Sequence, residues 1–564
     1  MKKNFKFYAL GWAALLGLFN LLAFIIPAWP TLEKFTPSFW IGWGVTIGAF
    51  FGQLICAWYA FKQEAVKKTF YKGEVMEKFL AGLLKVVQTV NAYLSDYILI
   101  ILLVGIGIFY TVKTRFVQVR CFKQGMKQVF GNLKLNGDKS GNGMSSFQAF
   151  TAAVAAQVGT GNIIGASGAI LTGGPGAIFW MWIIAFFGMA TNYSEAVLAQ
   201  KTKMLAEDGS VNGGPVYYIK KAFKGGFGKF LAGFFAVATI IALGFVGSMV
   251  QSNSIAGAVN EASGVDTWIV GIILAILAGI IFIGGVSRLA SVTEKLVPVM
   301  AVVYLLGGLI VICCNITALP EAIWMIFKYA FIPEAIIGGG IGAALKTAIS
   351  QGAKRGLFSN EAGMGSTPHA HAQANVKTAH EQGISAMIGV FFDTFVVLTM
   401  TALIVITTLY AGDGMLSSAD KLEAALAGGL SKTNLVKTAI ATVFNGSNVG
   451  LTIGGIFVAV CLFFFAFSTI LSWNLFGKIN FTYLFGKKSS IVYMIIAIIF
   501  VFLGSVFQND LVWELTDFFN YLMVLPNVMA LFMLSKVVID ELTVNGKKSV
   551  GDTPNQPLNK SLAD

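Results

Sequence analysis

An apolar stretch at about 147–171 is long enough to cross a membrane as a helix, yet four consecutive residues interrupt it: Gly159, Thr160, Gly161 and Asn162. Glycine and asparagine weaken a helix, and unwound backbone at membrane depth is tolerated only where protein buries it or a watery cavity adjoins it. Unwinding exposes amide N–H groups on one half-helix and carbonyl groups on the other. The run therefore predicts adjacent anion and cation sites, which would suit a zwitterion and a companion cation.

A second glycine-rich interruption lies in the apolar segment 320–350, which contains Pro333, Gly339 and Gly340. It comes five spans after the first, and the loop charges predict that the two helices run in opposite directions. Paired broken helices in inverted repeats indicate the midplane binding site of a secondary transporter. We therefore expect Gly339 and Gly340 to line the same substrate site. The alternative is that these glycines only allow helices to pack closely.

Polar side chains in other apolar segments could complete such a site. Gln251 lies deep in 229–257, where its amide could bind a zwitterion or simply bond a neighbouring helix. Ser468 and Thr469 form a hydroxyl pair midway along 449–475. Hydroxyl and carbonyl oxygens suit a monovalent cation that must also leave, although such hydroxyls often bond their own helix.

Asp393 is an acid well inside a span, about ten residues into the segment 384–410. An ionisable residue within the membrane is by default a candidate functional residue. Its carboxylate could bind the coupling ion or a proton, or it could pair with the polar face of another helix.

The composition identifies the solvent of this chain as lipid. Of 564 residues, 56% are hydrophobic and 12% are charged, about half of the roughly 25% usual in soluble domains. Thirteen apolar segments recur along the chain, and continuous runs rather than alternating ones predict helices, not an outer-membrane barrel. The +13 net charge lies mostly in short loops, so nucleic acid is not an expected partner. No histidine and no nucleophile–base dyad lies in a span, which argues against an enzyme.

Charge and hydropathy together divide the chain. We expect an N-terminal membrane extension over 1–75, then an amphipathic segment, an additional transmembrane helix and a basic loop over 76–146. A ten-helix core should cover 147–534, with a first repeat of about 147–314 and a second of about 320–534, followed by a C-terminal tail over 535–564.

Basic residues set the predicted orientation in the inner membrane. The strongest cluster follows residue 112, which places that loop in the cytoplasm by the positive-inside rule. Counting onward places Lys354 and Arg355 in a cytoplasmic loop, and the C-terminal tail is also cytoplasmic.

Four motifs in this order carry a family resemblance: QVGTGNI at 157–163, GGPGA at 173–177, GGPVYY at 213–218 and RGLFSNEAGMGS at 355–366. Together they resemble the alanine or glycine:cation symporter family, also called the sodium:alanine symporter family, over about 76–535. The first 75 residues do not resemble it. The resemblance implies an all-α polytopic fold with a five-plus-five inverted-repeat core and two discontinuous helices, as in neurotransmitter:sodium symporters, plus extra N-terminal helices.

The resemblance also implies roles for particular residues. The amides around Thr160 and Gly161 would hold the substrate carboxylate, with Asn162 helping to close the site. Gln251 and Trp473 would shape the pocket, with Thr469 nearby. The sodium ligands implied in this way are the carbonyls of Ala155 and Val158 with the hydroxyls of Ser468 and Thr469.

We therefore predict a secondary symporter that imports a small neutral amino acid, alanine or glycine, with sodium by alternating access. Proton coupling is the alternative, and a channel is a further one. No organic cofactor and no obligatory protein partner are expected beside the amino acid, the co-transported sodium ion and the lipid bilayer.

Overall fold

The computed structural model describes residues 74–131, 143–206, 210–332, 341–507 and 510–545. Most of these residues are helical, and one small hairpin within them pairs strand β1 (Met204–Leu205) with β2 (Val211–Asn212) in antiparallel fashion. A helix satisfies its own backbone hydrogen bonds, which makes it stable where the surroundings offer no partner. The predicted all-α fold is confirmed.

The chain forms two units, residues 1–86 and 87–564. Of the first unit only residues 74–86 are described, and they belong to helix α1 (Glu74–Tyr93). The predicted N-terminal extension over 1–75 thus lies almost entirely outside the described residues.

The helices that follow have these bounds: α2 Ile100–Lys113, α3 Val117–Arg120, α4 Phe122–Phe130, α5 Ser146–Gln157, α6 Ala166–Gly173, α7 Gly176–Thr202, α8 Pro215–Ala222, α9 Gly225–Thr239, α10 Ser248–Ser263, α11 Thr267–Ile283, α12 Gly285–Cys314, α13 Leu319–Phe331, α14 Ile341–Asn360, α15 Pro368–Ala372, α16 Ala379–Val390, α17 Thr399–Val405, α18 Ala419–Ala427, α19 Leu435–Thr442, α20 Asn448–Phe485, α21 Ser490–Val506, α22 Asp510–Met533 and α23 Ser535–Asn545. Wider π-type turns join or enter several of them: Leu94–Leu99, Gly161–Gly165, Ile240–Gly247, Phe391–Leu398 and Ile406–Tyr410. Two 3₁₀ turns complete the helical elements: Ile316–Ala318 and Lys487–Ser489.

Eight helices in the described ranges are long and apolar enough to cross a bilayer: Ala81–Lys113, Gly176–Thr202, Gly225–Ser263, Gly285–Cys314, Ala379–Tyr410, Asn448–Phe485, Lys487–Val506 and Asp510–Met533. Helices α5 and α6 form a further span if the bent pair counts as one, and α11 is a shorter apolar helix. The chain is thus a multi-pass membrane protein.

Two groups of helices make up the core. The first contains the interrupted pair α5 and α6, then α7, α9 with α10, α11 and α12. The second contains α14 with α15, α16 with α17, α20, α21 and α22. Helix α7 packs against α14 and α16, and α5 packs against α12 and α20, so the groups interlock around the interrupted helices. This order of elements agrees with the predicted five-plus-five core.

The region predicted as one interrupted span over 320–350 forms two helices instead. Helix α13 ends at Phe331, and α14 starts at Ile341 and continues to Asn360. Residues 333–340, which include Gly339 and Gly340, lie outside the described residues.

Lys354 and Arg355 were expected in a cytoplasmic loop; the loop is wrong, and the side of the membrane stays a prediction. Both residues lie within helix α14, where Lys354 Nζ is 3.3 Å and Arg355 Nη1 is 3.5 Å from Asp517 Oδ2 on α22. The positive-inside rule applies to charges in loops, whereas these charges are compensated by a carboxylate on another helix.

Helix α23 is tied to the ends of α7 and α16 by Glu541. Its Oε2 lies 2.7 Å from Lys201 Nζ, and its Oε1 accepts the N–H of His380 at 3.1 Å. Burial alone would raise the pKa of Glu541, but the hydrogen bond and charge of Lys201 outweigh it, and the pKa lies below its ordinary value of 4.5.

A carboxyl group whose pKa is lower in the folded state stabilises the fold above its ordinary pKa, and this contribution is lost as the pH falls through the folded value. We expect Glu541→Gln to lower the thermal midpoint by a few degrees at pH 7, and the difference from the native protein to shrink as the pH falls below 4.5. Glu261→Gln is the control, since Glu261 forms an exposed pair with Lys437. Equal midpoints at pH 7 would show that Glu541 does not hold α23.

Candidate functional site

The first helix interruption lies where the sequence predicts it. Helix α5 starts at a capping box formed by Ser145 and Gln148 and ends at Gln157, because Val158 leaves the helical conformation with ψ at 90°. The chain re-enters a helix through the wide turn Gly161–Gly165, and the two halves are bent by 45°. The predicted discontinuity of this helix is confirmed.

Two main-chain N–H groups at this break donate to side chains. Gly159 N–H donates to Asn162 Oδ1 at 3.0 Å, and Thr160 N–H donates to Gln251 Oε1 at 3.2 Å. A buried glutamine oxygen from α10 thus accepts from an amide that the family resemblance assigns to a substrate carboxylate. The Thr160 hydroxyl is buried and has no hydrogen-bond partner among the described residues. An unpaired buried donor is costly, so a ligand oxygen here would be favoured.

Five oxygen atoms converge where α20 passes the end of α5. Thr469 Oγ1 lies 2.9 Å from the carbonyl oxygen of Ala155, 3.0 Å from that of Phe465 and 3.4 Å from that of Val158. Ser468 Oγ lies 2.8 Å from the Phe465 oxygen and 3.4 Å from the Ala155 oxygen. Both hydroxyls also bond the Phe465 carbonyl of their own helix. The pair is therefore bonded within α20 and also lies beside the carbonyl oxygens of α5. Neutral oxygens at this spacing could surround a monovalent cation if the hydroxyl protons turned away.

Asp393 lies at the centre of a neighbouring polar group. It accepts hydrogen bonds from Asn162 Nδ2 at 2.7 Å, Ser359 Oγ at 2.9 Å and Thr394 Oγ1 at 2.8 Å. The carbonyl oxygen of Asn162 in turn accepts from Thr401 Oγ1 at 2.7 Å. Within the described ranges no lysine or arginine comes within ion-pair distance of Asp393. Its charge is therefore compensated only by neutral donors, and Asn162 joins this group to the first break.

A second interruption follows α14. Glu361 adopts a left-handed conformation with φ at 56°, Gly363 and Gly365 have φ of 85° and 83°, and α15 starts at Pro368. Left-handed residues end helices, and glycine adopts this conformation without strain. The break that adjoins the site is therefore at 361–367. The one predicted at Pro333 and the glycine run after it falls largely on residues that are not described.

An indole connects the second break to the first. Trp473 on α20 donates its Nε1–H to Glu361 Oε1 at 2.5 Å and packs edge-to-face on Phe358 with ring centroids 6.1 Å apart. A Cβ added to Gly161 would lie 3.1 Å from Phe358, so that ring closely adjoins the unwound segment. On its other side the indole covers Gly247, where a Cβ would lie 2.6 Å from it. The rings of Phe358 and Trp473 therefore pack directly on Gly161 and Gly247.

Most residues predicted for the site come together around the first break: Ala155, Val158, Gly159, Thr160, Gly161, Asn162, Gln251, Asp393, Ser468, Thr469 and Trp473. Gly339 and Gly340 are not described. Sequence reasoning missed Ser359, Glu361 and the Phe465 carbonyl. The Phe465 oxygen could have been found from the position of Ser468 and Thr469, three and four residues later on one helix.

A family model described as the sodium:alanine symporter family matches residues 80–555. The sodium/alanine symporter AgcS of Methanococcus maripaludis is 40% identical over 457 residues, which cover 81% of this chain and 95% of that protein. The amino-acid carrier protein AlsT of Bacillus subtilis is 39% identical over 452 residues, which cover 78% of this chain and 89% of that protein.

Among solved structures, MhsT in complex with L-phenylalanine aligns with a TM-score of 0.49 at 16% identity. The alignment covers 70% of this chain and 90% of that one.

Proposed function

Because the chain belongs to the sodium:alanine symporter family, we propose that it imports a small neutral amino acid, alanine or glycine, together with sodium by alternating access. The family and its relatives make this protein an amino acid–cation symporter, and not an enzyme. The choice of amino acid, the ion and the transport cycle are the parts that we propose. We further propose that the protein lies in the inner membrane with its C-terminus in the cytoplasm.

The five-oxygen cluster beside the first break is the observation that carries this proposal. Its ligands are neutral carbonyl and hydroxyl oxygens, which favour a monovalent cation over a divalent one that prefers carboxylates. Three of these oxygens, those of Ala155, Val158 and Thr469, lie close to the first break. The amides of that break, around Thr160, would hold the substrate. A cation there would fix the end of α5 against α20 and so build one side of the substrate site.

The substrate carboxylate would replace the oxygen of Gln251 at the Thr160 amide and also accept from the unpaired Thr160 hydroxyl. Trp473 and Phe358 would then lie beside the substrate side chain. Because the Glu361 hydrogen bond fixes the indole, we expect only a hydrogen atom or a methyl group to fit well.

The sodium gradient supplies enough free energy for accumulation. Moving one charge down about 100 mV yields roughly 2.3 kcal/mol, and a tenfold concentration difference adds about 1.4 kcal/mol. Together these could support an accumulation of a neutral solute by a few hundredfold.

A proton is the second candidate for the coupling ion, and Asp393 is the observation that favours it. A buried carboxylate with only neutral donors around it can be neutralised by a proton as well as by a metal ion.

Uptake into proteoliposomes tests the proposal directly. We expect radiolabelled alanine and glycine to accumulate under an inward sodium gradient, and much less when choline replaces sodium. Serine and glutamine added in excess test the size limit by competition. Equal uptake in choline, or uptake driven by a proton gradient alone, would contradict sodium coupling.

The hydroxyl of Thr469 provides a sharper test. Thr469→Val keeps the shape of the side chain but removes an oxygen that reaches three carbonyl groups of the cluster. We expect the sodium concentration for half-maximal uptake to rise at least tenfold, which corresponds to about 1.4 kcal/mol. Thr239→Val is the matched control, because Thr239 is equally buried and its hydroxyl bonds Phe235 of its own helix. A Thr469→Val protein with native sodium dependence would remove this residue from the ion site.

A further inference from the structure

Glu195 is a fully buried carboxylate on α7 that contacts the second break away from the oxygen cluster. Its Oε2 accepts the N–H of Gly363 at 3.2 Å, and its Oε1 accepts from Asn527 Nδ2 at 2.6 Å. The Asn527 amide further donates to the Gly363 carbonyl at 2.9 Å, and Tyr218 donates its O–H to Asn527 Oδ1. One carboxylate thus joins α7 and α22 to the second break.

The backbone of the second break is shaped to hold an anion. Gly363 and Gly365 both have positive φ, and the N–H of Gly363 turns toward the Glu195 carboxylate. The spaces that side chains would need there are already filled, since a Cβ at Gly363 would lie 2.7 Å from Leu103 and one at Gly365 would lie 2.9 Å from Phe235. The second break therefore carries its own anion, whereas the first break would take the anion of the substrate.

Among the described residues, no cationic side chain forms an ion pair with the Glu195 carboxylate. A carboxylate buried in this way is expensive, and apolar packing would be at least as stable. Ionisable groups at such positions within a membrane protein usually serve its function.

We propose that Glu195 is a positioning residue of the transport cycle. Its carboxylate holds the amide of Gly363 while Asn527 holds the Gly363 carbonyl, which fixes the second break between α7 and α22 and keeps the short helix α15 seated against α7. In this arrangement the site is closed on the side where α15 lies. Release of these hydrogen bonds accompanies opening on that side. The proposal rests on the proposed transport function, because only a cycle between two closures requires such a release.

Glu195→Gln tests the proposal with a side chain of equal size. The glutamine keeps one acceptor oxygen but turns an NH₂ group toward a donor, either Asn527 or the amide of Gly363. We expect the maximal rate of sodium-driven alanine uptake to fall at least tenfold, while the dissociation constant of alanine, measured at equilibrium with sodium, changes less than threefold. Glu381→Gln is the matched control, because buried Glu381 also accepts a main-chain N–H, that of Lys377 at 3.2 Å.

A second measurement reports on the closure itself. In a protein with its five native cysteines replaced, Ser366→Cys places a thiol in the second break. We expect its reaction with a membrane-impermeant reagent, added from the side of α15, to become at least threefold faster when Glu195→Gln is present. Asn527→Ala removes the other end of the contact and should reproduce both effects if Glu195→Gln fails to fold.

Native uptake in Glu195→Gln and Asn527→Ala, or a loss of alanine binding in parallel with uptake, would overturn the proposal. If the native protein itself shows no sodium-dependent uptake, the proposed function fails instead. The reactivity of the cysteine at position 366 still tests Glu195 in that case, because it needs no transport.

Discussion

Gly159→Ala is expected to reduce sodium-dependent uptake at least a hundredfold, which corresponds to about 2.7 kcal/mol. A Cβ at this position would lie 2.5 Å from Thr469 Oγ1 and 3.3 Å from Gln251 Oε1. The first distance is too short for any real contact, so the Thr469 hydroxyl would have to leave the oxygen cluster or the break would have to change shape. One methyl group would thereby displace both the cation ligand and the residue that caps the substrate amide.

The matched control for this variant lies on the other half of the same helix. A Cβ at Gly168 would be 3.7 Å from Lys432, an ordinary contact, so Gly168→Ala should transport at a near-native rate. Initial rates of alanine uptake at saturating sodium, normalised to the amount of folded protein, separate the two variants. If Gly159→Ala and Gly168→Ala transport equally well, position 159 does not adjoin the bound ion and substrate.

Asp393→Asn is expected to lower uptake about a hundredfold. Three neutral donors, on Asn162, Ser359 and Thr394, converge on this carboxylate, and an amide at this position would point an NH₂ group at one of them. A lost hydrogen bond to a charged group costs about 1.5–3 kcal/mol. The loss also breaks the connection from the wide turn Phe391–Leu398 to Asn162 in the first break, so substrate and ion binding should both weaken.

The same variant separates sodium coupling from proton coupling. Uptake is measured against sodium concentration at fixed pH, and then under a proton gradient without sodium. If sodium is the coupling ion, the native protein stays inactive without sodium, and Asp393→Asn, which removes the acceptor of Asn162 at the first break, raises the sodium concentration needed for half-maximal uptake. If a proton on Asp393 is the coupling ion, the native protein responds to the proton gradient and the variant does not. An Asp393→Asn protein with the native uptake rate and native sodium dependence would show that Asp393 has only a structural role.

Asp266→Asn serves as the control, because Asp266 is an exposed acid in the loop before α11.

The all-α fold, the first break and much of the candidate site could be predicted because their signals are local. Gly159 and Gly161 stand within four residues of an apolar run, and Asp393 is conspicuous in a span with few charges. Hydropathy alone is enough to find such features, since lipid penalises unwound backbone and buried charge strongly.

The second break was harder to locate because its cause is not local. The glycine run after Pro333 has a denser signal than the region of Gly363 and Gly365, yet the described break depends on Glu195 and Asn527, which are distant in sequence. Lys354 was misassigned for the same reason, since its partner Asp517 is also far along the chain. The hydropathy of a single helix does not reveal a contact with a residue on another helix, such as Glu195 or Asp517.

The glutamine oxygen on the Thr160 amide has a consequence for how the carrier resets. When no substrate is bound, the Thr160 N–H still has an acceptor within the protein, the Gln251 oxygen. The empty form therefore needs neither water nor a bound solute to satisfy this N–H. A carrier of this kind can cycle back unloaded. Net entry of alanine should therefore proceed into vesicles that contain none, and preloading them with alanine should not be required to start it.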